Sequence, residues 1–214
     1  MSDIVKIVDE LAKEAPGPIG FATKAAAFIF RKRLEEGRAI IVRKMSKGQP
    51  WRLREDKVMA LTFDFLRAAA DGAAQENLEV MADLIANGVA EEGLAEEAIR
   101  DLMRVVRDLA YDEMRALAAL LRAQRTYTPP ADLNEPPTKF WVGAQVYRLA
   151  WSELAGPGHD EPPDEVVGTF GALMRTGLVY TDSAWEGMTF AGTPKLARLA
   201  RLVDLGAFPG PPRA

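Results

Sequence analysis

The sequence predicts a mainly α protein, an N-terminal helical bundle followed by a small winged-helix-like α+β unit. Three observations predict it. Apolar residues recur at three- and four-residue steps through most of residues 1–125, the spacing of one helix face. Prolines 129, 130, 136 and 137 gather in residues 126–140, too many for a helix, in polar surroundings that suit an exposed linker. The stretch DEVVGTFGALMRTGLVYTDSAWEGMTFAGTPKLARLARLV, Asp164 to Val203, then reads as helix, tight turn, two short strands and a second helix. The expected division is a bundle over 1–125, a linker over 126–140 and the α+β unit over 141–214. With 214 residues, 48% of them hydrophobic, the chain can bury a core as one large domain or two small ones.

In order, Ser2 and Asp3 suit a helix start, and Ile4, Ile7, Val8 and Leu11 form a stripe that Pro16, Gly17 and Pro18 end. A longer helix is expected from about Ile19 to Met45, with Ala27, Phe30, Leu34, Ile41 and Met45 near one line and Gly37 as a weak point. After a break at Gly48, Gln49 and Pro50, with Trp51 packed over it, a helix over Arg54–Ala70 carries two apolar lines. Val58, Leu61 and Phe65 form one, Met59, Phe63 and Leu66 the other, so neighbours are expected on more than one side. Leu78, Met81, Ala82 and Ile85 give the next helix, closed by Gly88. Over Leu94–Leu109, Ile99, Leu102, Val106 and Leu109 face in while Arg100, Arg104, Arg107 and Asp108 face out. Asp112 is expected to cap a helix through Gln124 that carries Met114, Leu117, Leu120 and Leu121, with Glu113 against its dipole.

Beyond the linker, Trp141, Val142, Val146, Leu149 and Ala150 begin a helix that Gly156, Pro157 and Gly158 end. Val166, Val167, Phe170, Leu173 and Met174 share a face of the following helix, which Gly177 stops by offering the left-handed conformation. Leu178–Tyr180 and Met188–Phe190 are β-prone around the polar stretch Thr181–Gly187, which makes a hairpin. Thr193 caps and Pro194 opens the last helix, whose Leu196, Leu199, Leu202 and Val203 return an apolar stripe to the core. The rival account is an ordinary αββα segment in a mixed domain.

There is no cysteine, so disulfides, thiolate nucleophiles and cysteine-ligated zinc are excluded, and a cytoplasmic setting is expected. The N-terminus lacks the pattern of a secretory signal, and the most apolar run, Ile19–Phe30, is too short to span a bilayer and contains Lys24. His159 is the only histidine. Gly158, His159, Asp160 and Glu161 offer polar ligands, but adjacent side chains on a proline-bounded loop do not surround an ion, so a solvated histidine is expected. Gly-rich phosphate loop, dinucleotide fingerprint and HExxH pair are all absent, and no catalytic residue, cofactor or metal is expected.

The net charge of −4 is uneven. Residues 31–57 hold ten basic and four acidic side chains, which leaves +6 there and −10 elsewhere. Arg31, Lys32, Arg33, Arg38, Arg43, Lys44 and Lys47 form a candidate patch for an anionic partner, a solvated helix face being the plainer account. The apolar helix leading into Arg31, Lys32 and Arg33 would suit an anionic membrane surface, although a core or dimer helix explains it better. Lys195, Arg198 and Arg201 form a candidate basic stripe on the last helix. DNA is the natural partner of a winged helix. Here Asp160, Glu161, Asp164 and Glu165 crowd the start of the would-be reading helix, Arg175 is its only cation, and Asp182 and Glu186 lie in the wing. Phosphate affinity comes largely from Lys and Arg, so nucleic acid is disfavoured.

The segment 75–121, QENLEVMADLIANGVAEEGLAEEAIRDLMRVVRDLAYDEMRALAALL, resembles the central region of the abortive-infection alpha family of bacterial phage-resistance proteins. There a helix ending in an LLAN-like turn, here Leu84 to Gly88, precedes a helix and a start of the form Ls-x-x-da-x-x-L, here Leu109 to Leu117. Leu173–Val179 and Thr193–Leu202 are similar to that family's closing hairpin and helix. The likeness covers less than half of the chain, and it implies a helical cytoplasmic protein associated with phage defence, with no catalytic residues to transfer. A fold does not fix a function. The expectation is a non-enzymatic interaction module that meets a protein partner or a second copy of itself. A DNA-binding regulator and a peripheral membrane protein are the alternatives.

Overall fold

The computed structural model describes residues 24–47, 50–129, 138–184 and 187–208. The first helix expected from the sequence, the start of the second, most of the proline-rich stretch and the hairpin tip at Trp185 and Glu186 lie outside these residues. The protein is mainly helical, with a small two-stranded antiparallel sheet near the C-terminus. It divides into two compact units, Met1–Leu109 and Ala110–Ala214.

The first unit holds α1 (Lys24–Met45), α2 (Glu55–Asp71), α3 (Gln75–Gly88) and α4 (Glu96–Arg107). Much of its core comes from the set that periodicity singles out: Ile41, Val58, Leu61, Phe65, Ile85, Ile99 and Val106 are fully buried, with Leu102 and Met45 nearly so, whereas Phe30, Leu34, Met59 and Phe63, expected on the same apolar lines, are only half-buried. Gly37 does not break α1. It is buried where α1 meets α2, and a Cβ placed on it would lie 2.6 Å from the Cβ of Ala69, so the absence of a side chain lets the two helices approach. Gly88 likewise serves proximity rather than the left-handed cap expected of it. The helix runs through it into Val89, and a Cβ there would lie 2.8 Å from Ile99 Cδ1. Gly72 supplies a true left-handed end, at φ 92°, to α2.

No side-chain cap opens α2, α3 or α4, which begin after Arg54, Ala74 and Ala95. Each instead carries acid in its first turn (Glu55 and Asp56; Glu76; Glu96 and Glu97), where carboxylates complement the positive end of the helix dipole. The end of α4 is closed from afar. Buried Asn77 donates from Nδ2 to the carbonyls of Arg107 and Leu109, at 3.1 and 2.8 Å, satisfying groups that a helix end leaves open.

The second unit holds α5 (Tyr111–Thr126), α6 (Lys139–Ala155), α7 (Asp164–Leu173), a 3₁₀ turn (Met174–Thr176), β1 (Val179–Ala184), β2 (Gly187–Gly192), α8 (Pro194–Leu202) and a second 3₁₀ turn (Leu205–Ala207). Two expectations change here. The helix from Tyr111 belongs to this unit and not to the bundle, so the division falls at 109/110, ahead of the expected linker at 126–140. Ala110, not Asp112, occupies the cap position of α5, and Asp112 lies within the first turn.

Between Met114 and Leu121, α5 buries every residue but Arg115, the pattern of a helix enclosed on several sides. α6 buries Val146, Tyr147, Ala150 and Trp151, whereas Leu149, expected on its apolar line, is exposed. Tyr147, Phe170 and Phe190 form an aromatic cluster with ring centroids 5.2 to 5.5 Å apart. Such pairs add to their burial through ring electrostatics. Gly177 stands at φ 69° and turns the chain into β1. The strand register pairs Val179 with Gly192, Thr181 with Phe190 and Tyr180 with Ala191. Alternation then sends Phe190 to the core and Tyr180 to the other face. Thr193 caps α8 as expected, its Oγ1 accepting from Leu196 N–H at 3.3 Å, and Leu196, Leu199 and Leu202 are buried.

Candidate interaction site

The charges of the C-terminal hairpin unit bear on what it can grip. Asp160, Glu161, Asp164 and Glu165 are all exposed at the entry to α7. Arg175, the one cation that sequence reading granted to this helix, is committed elsewhere. Its guanidinium forms a two-pronged pair with the carboxylate of Glu113 on α5, one prong between Nη2 and Oε2 at 2.9 Å and a shorter one between Nη1 and Oε1, and it also donates to the carbonyl of Ala172 at 2.7 Å. Glu113 is buried. Its carboxyl is held below the ordinary 4.5 first by the Arg175 hydrogen bond, against the opposing effect of burial, and with help from the Ala110 N–H. The same unit also leaves three large apolar side chains exposed, at separate places: Met174 past the end of α7, and Tyr180 and Met188 on opposite faces of the hairpin. Met188 is 58% exposed, Tyr180 46% and Met174 43%, large side chains that the core leaves out.

The sequence-derived basic patch does not survive as a cluster of free cations. Arg43 pairs with Glu79, and Lys44 reaches Asp83 at 2.7 Å and Glu79 at 3.4 Å, so both clamp α1 onto α3. Arg33 lies over Gly72, where its guanidinium occupies the space a side chain would need. Lys32 pairs with Glu36 one turn on at 3.8 Å, and Arg38 is half-buried. Arg31 and Lys47 are exposed but sixteen residues apart, Arg31 within α1 and Lys47 in the turn beyond its end. In the C-terminal stripe Arg198 and Arg201 are exposed and Lys195 is half-buried. Phe28 and Ile29 are 69% and 48% exposed ahead of Arg31. No helix among the described residues is long and apolar enough to cross a membrane.

Sequence reading missed an arginine-lined cleft in the first unit. It has a volume of about 330 Å³ between α2, α3 and α4, with Asp64, Arg67 and Asp71 on one wall and Arg100, Arg104 and Arg107 on the other. Periodicity alone puts Arg100, Arg104 and Arg107 on the outward face of their helix and gives Arg67 no signal of its own. Only the packing of α2 against α4 brings the two rows together.

Among the described residues no group of three His, Cys, Asp or Glu stands close enough to hold a metal ion, and His159 is exposed. Compared with family models, with curated proteins and with solved structures, the chain shows no match. The likeness of residues 75–121 to the abortive-infection alpha family therefore rests on the residues quoted for it.

Proposed function

We propose that the protein is a non-enzymatic interaction module whose C-terminal hairpin unit meets another polypeptide. The observation that carries this reading is the engagement of Arg175 by buried Glu113. It removes the only cation from the α7 segment and leaves exposed carboxylates at its entry, a surface that repels a polyanion. Exposed Tyr180, Met188 and Met174, from both faces of the hairpin and the turn before it, are of the aromatic and methionine types that protein interfaces favour. A phage-defence setting enters through the family resemblance alone.

A gel-shift assay with nonspecific duplex across a salt series tests the reading. The expected result is no retarded band even at low salt. A complex that weakens steeply as salt rises, and that Arg198→Glu abolishes, would replace it with a DNA-binding regulator. Light scattering at two protein concentrations reads the self-associating form directly. There the apparent mass rises with concentration, and Tyr180→Ser with Met188→Ser suppresses the rise.

A further inference from the structure

We infer that the cleft between α2, α3 and α4 binds the phosphate group of a small molecule, with Arg67 and Arg104 as its principal ligands. α4 sets Arg100, Arg104 and Arg107 on one face, and α2 sets Asp64, Arg67 and Asp71 opposite them. Arg67, Arg104 and Arg107 are exposed at the mouth of the cleft and Arg100 is half-buried, and the arginines differ in whether a carboxylate meets them. At the two ends one does. Arg100 donates to Asp64 at 2.8 Å and to Glu96 at 2.5 Å, while Arg107 donates to Asp108 at 2.9 Å and is also drawn to Asp71.

The middle differs. Arg67 and Arg104 line the same cleft, and neither makes an ion pair or hydrogen bond among the described residues. Two uncommitted guanidiniums, brought from separate helices to one cavity, repel each other until an anion lies between them. The wall behind them includes Ala68, Met81 and Met103, each 2% exposed, and apolar backing of this kind strengthens a charge-assisted hydrogen bond.

The geometry selects the anion. A carboxylate is planar and one guanidinium fork satisfies it, whereas the oxygens of a phosphate group can accept from two forks at once. A volume of about 330 Å³ lies at the small end of ligand sites, room for a phosphate and a compact body. Asp64 and Asp71 within the walls oppose an extended polyanion, so nucleic acid does not fit the same chemistry. The site is independent of the hairpin surface, and its test does not depend on that reading.

The test is thermal denaturation and calorimetric titration of the full chain with pyrophosphate and with inorganic phosphate, at constant ionic strength, with succinate as the carboxylate arm. Saturable binding of pyrophosphate is expected, with a rising melting temperature, and no comparable response to succinate. Arg67→Gln with Arg104→Gln should weaken pyrophosphate binding at least about tenfold without lowering the ligand-free melting temperature, because neither side chain holds the fold together and their mutual repulsion is removed. Absence of phosphate and pyrophosphate binding by the wild-type chain, equal binding by the double variant, or equal affinity for succinate would each overturn the inference.

Discussion

At the scale of single residues, Glu113 joins three parts of the second unit. Its carboxylate accepts from the Ala110 N–H at 2.8 Å, closing the start of α5, and from Arg175, which fastens the 3₁₀ turn after α7 to that start. Because the folded chain holds this carboxyl below its ordinary value, protonation favours the unfolded state. The stability it contributes is complete above the ordinary carboxylate range and is lost as pH falls through the lowered value. Arg175→Gln is expected to cost about 2 kcal/mol at neutral pH, since it strands a buried charge, and less than a fully buried pair would because Arg175 is half exposed. Urea denaturation at pH 7 and pH 3 checks both parts: the variant should be weaker at pH 7, and the gap should narrow at pH 3. Sequence reading placed Glu113 at a helix start and Arg175 at a helix end, and both positions hold. Their pairing spans 62 residues, a distance about which local periodicity says nothing.

At the scale of elements, Gly37 and Gly88 show how two equal letters can serve ends other than flexibility. Propensity alone makes Gly37→Ala stabilise a helix by roughly 1 kcal/mol. Here the new Cβ would meet another Cβ at 2.6 Å, and two backbone-anchored groups cannot swing aside. The net effect expected is a loss of about 1–3 kcal/mol, returned in part when Ala69→Gly is added, as thermal denaturation of the single and double variants would show. The stretch from Asp164 to Val203 was the most legible part of the chain, because each of its signals is local: the apolar stripe ending at Gly177, the β-prone runs, the Thr193–Pro194 start. Starts of α2, α3 and α4 were less sharply marked, since acid in the first turn replaces a capping side chain and spreads the signal over several residues.

At the scale of the whole molecule, the mainly helical class with a small sheet was readable from periodicity, and the division of the chain was not. Prolines in 126–140 mark where a helix cannot run, but a unit is defined by its mutual packing, and α5 packs with α6, α7 and the second 3₁₀ turn. Arg122 on α5 pairs with Glu153 on α6 and donates to the carbonyls of Gly206 and Phe208, each at 2.9 Å, while Arg125 reaches Asp204 at 2.8 Å. A fragment of residues 110–214 is therefore expected to give a cooperative melt and dispersed amide resonances. A fragment of residues 138–214, cut at the linker that prolines suggest, should give neither.

The same arginine sets an order of events during translation. The partners of α1 to α4 have all been made once Leu109 is added, so the first half can settle early, as soon as it clears the ribosome. α5 must wait with its apolar sides uncovered until α6 and α7 are made, and Arg122 waits longer still, for the carbonyl of Phe208, 82 residues beyond the end of α5. Over the first of these intervals a nascent chain would hold out a greasy helix in need of a chaperone.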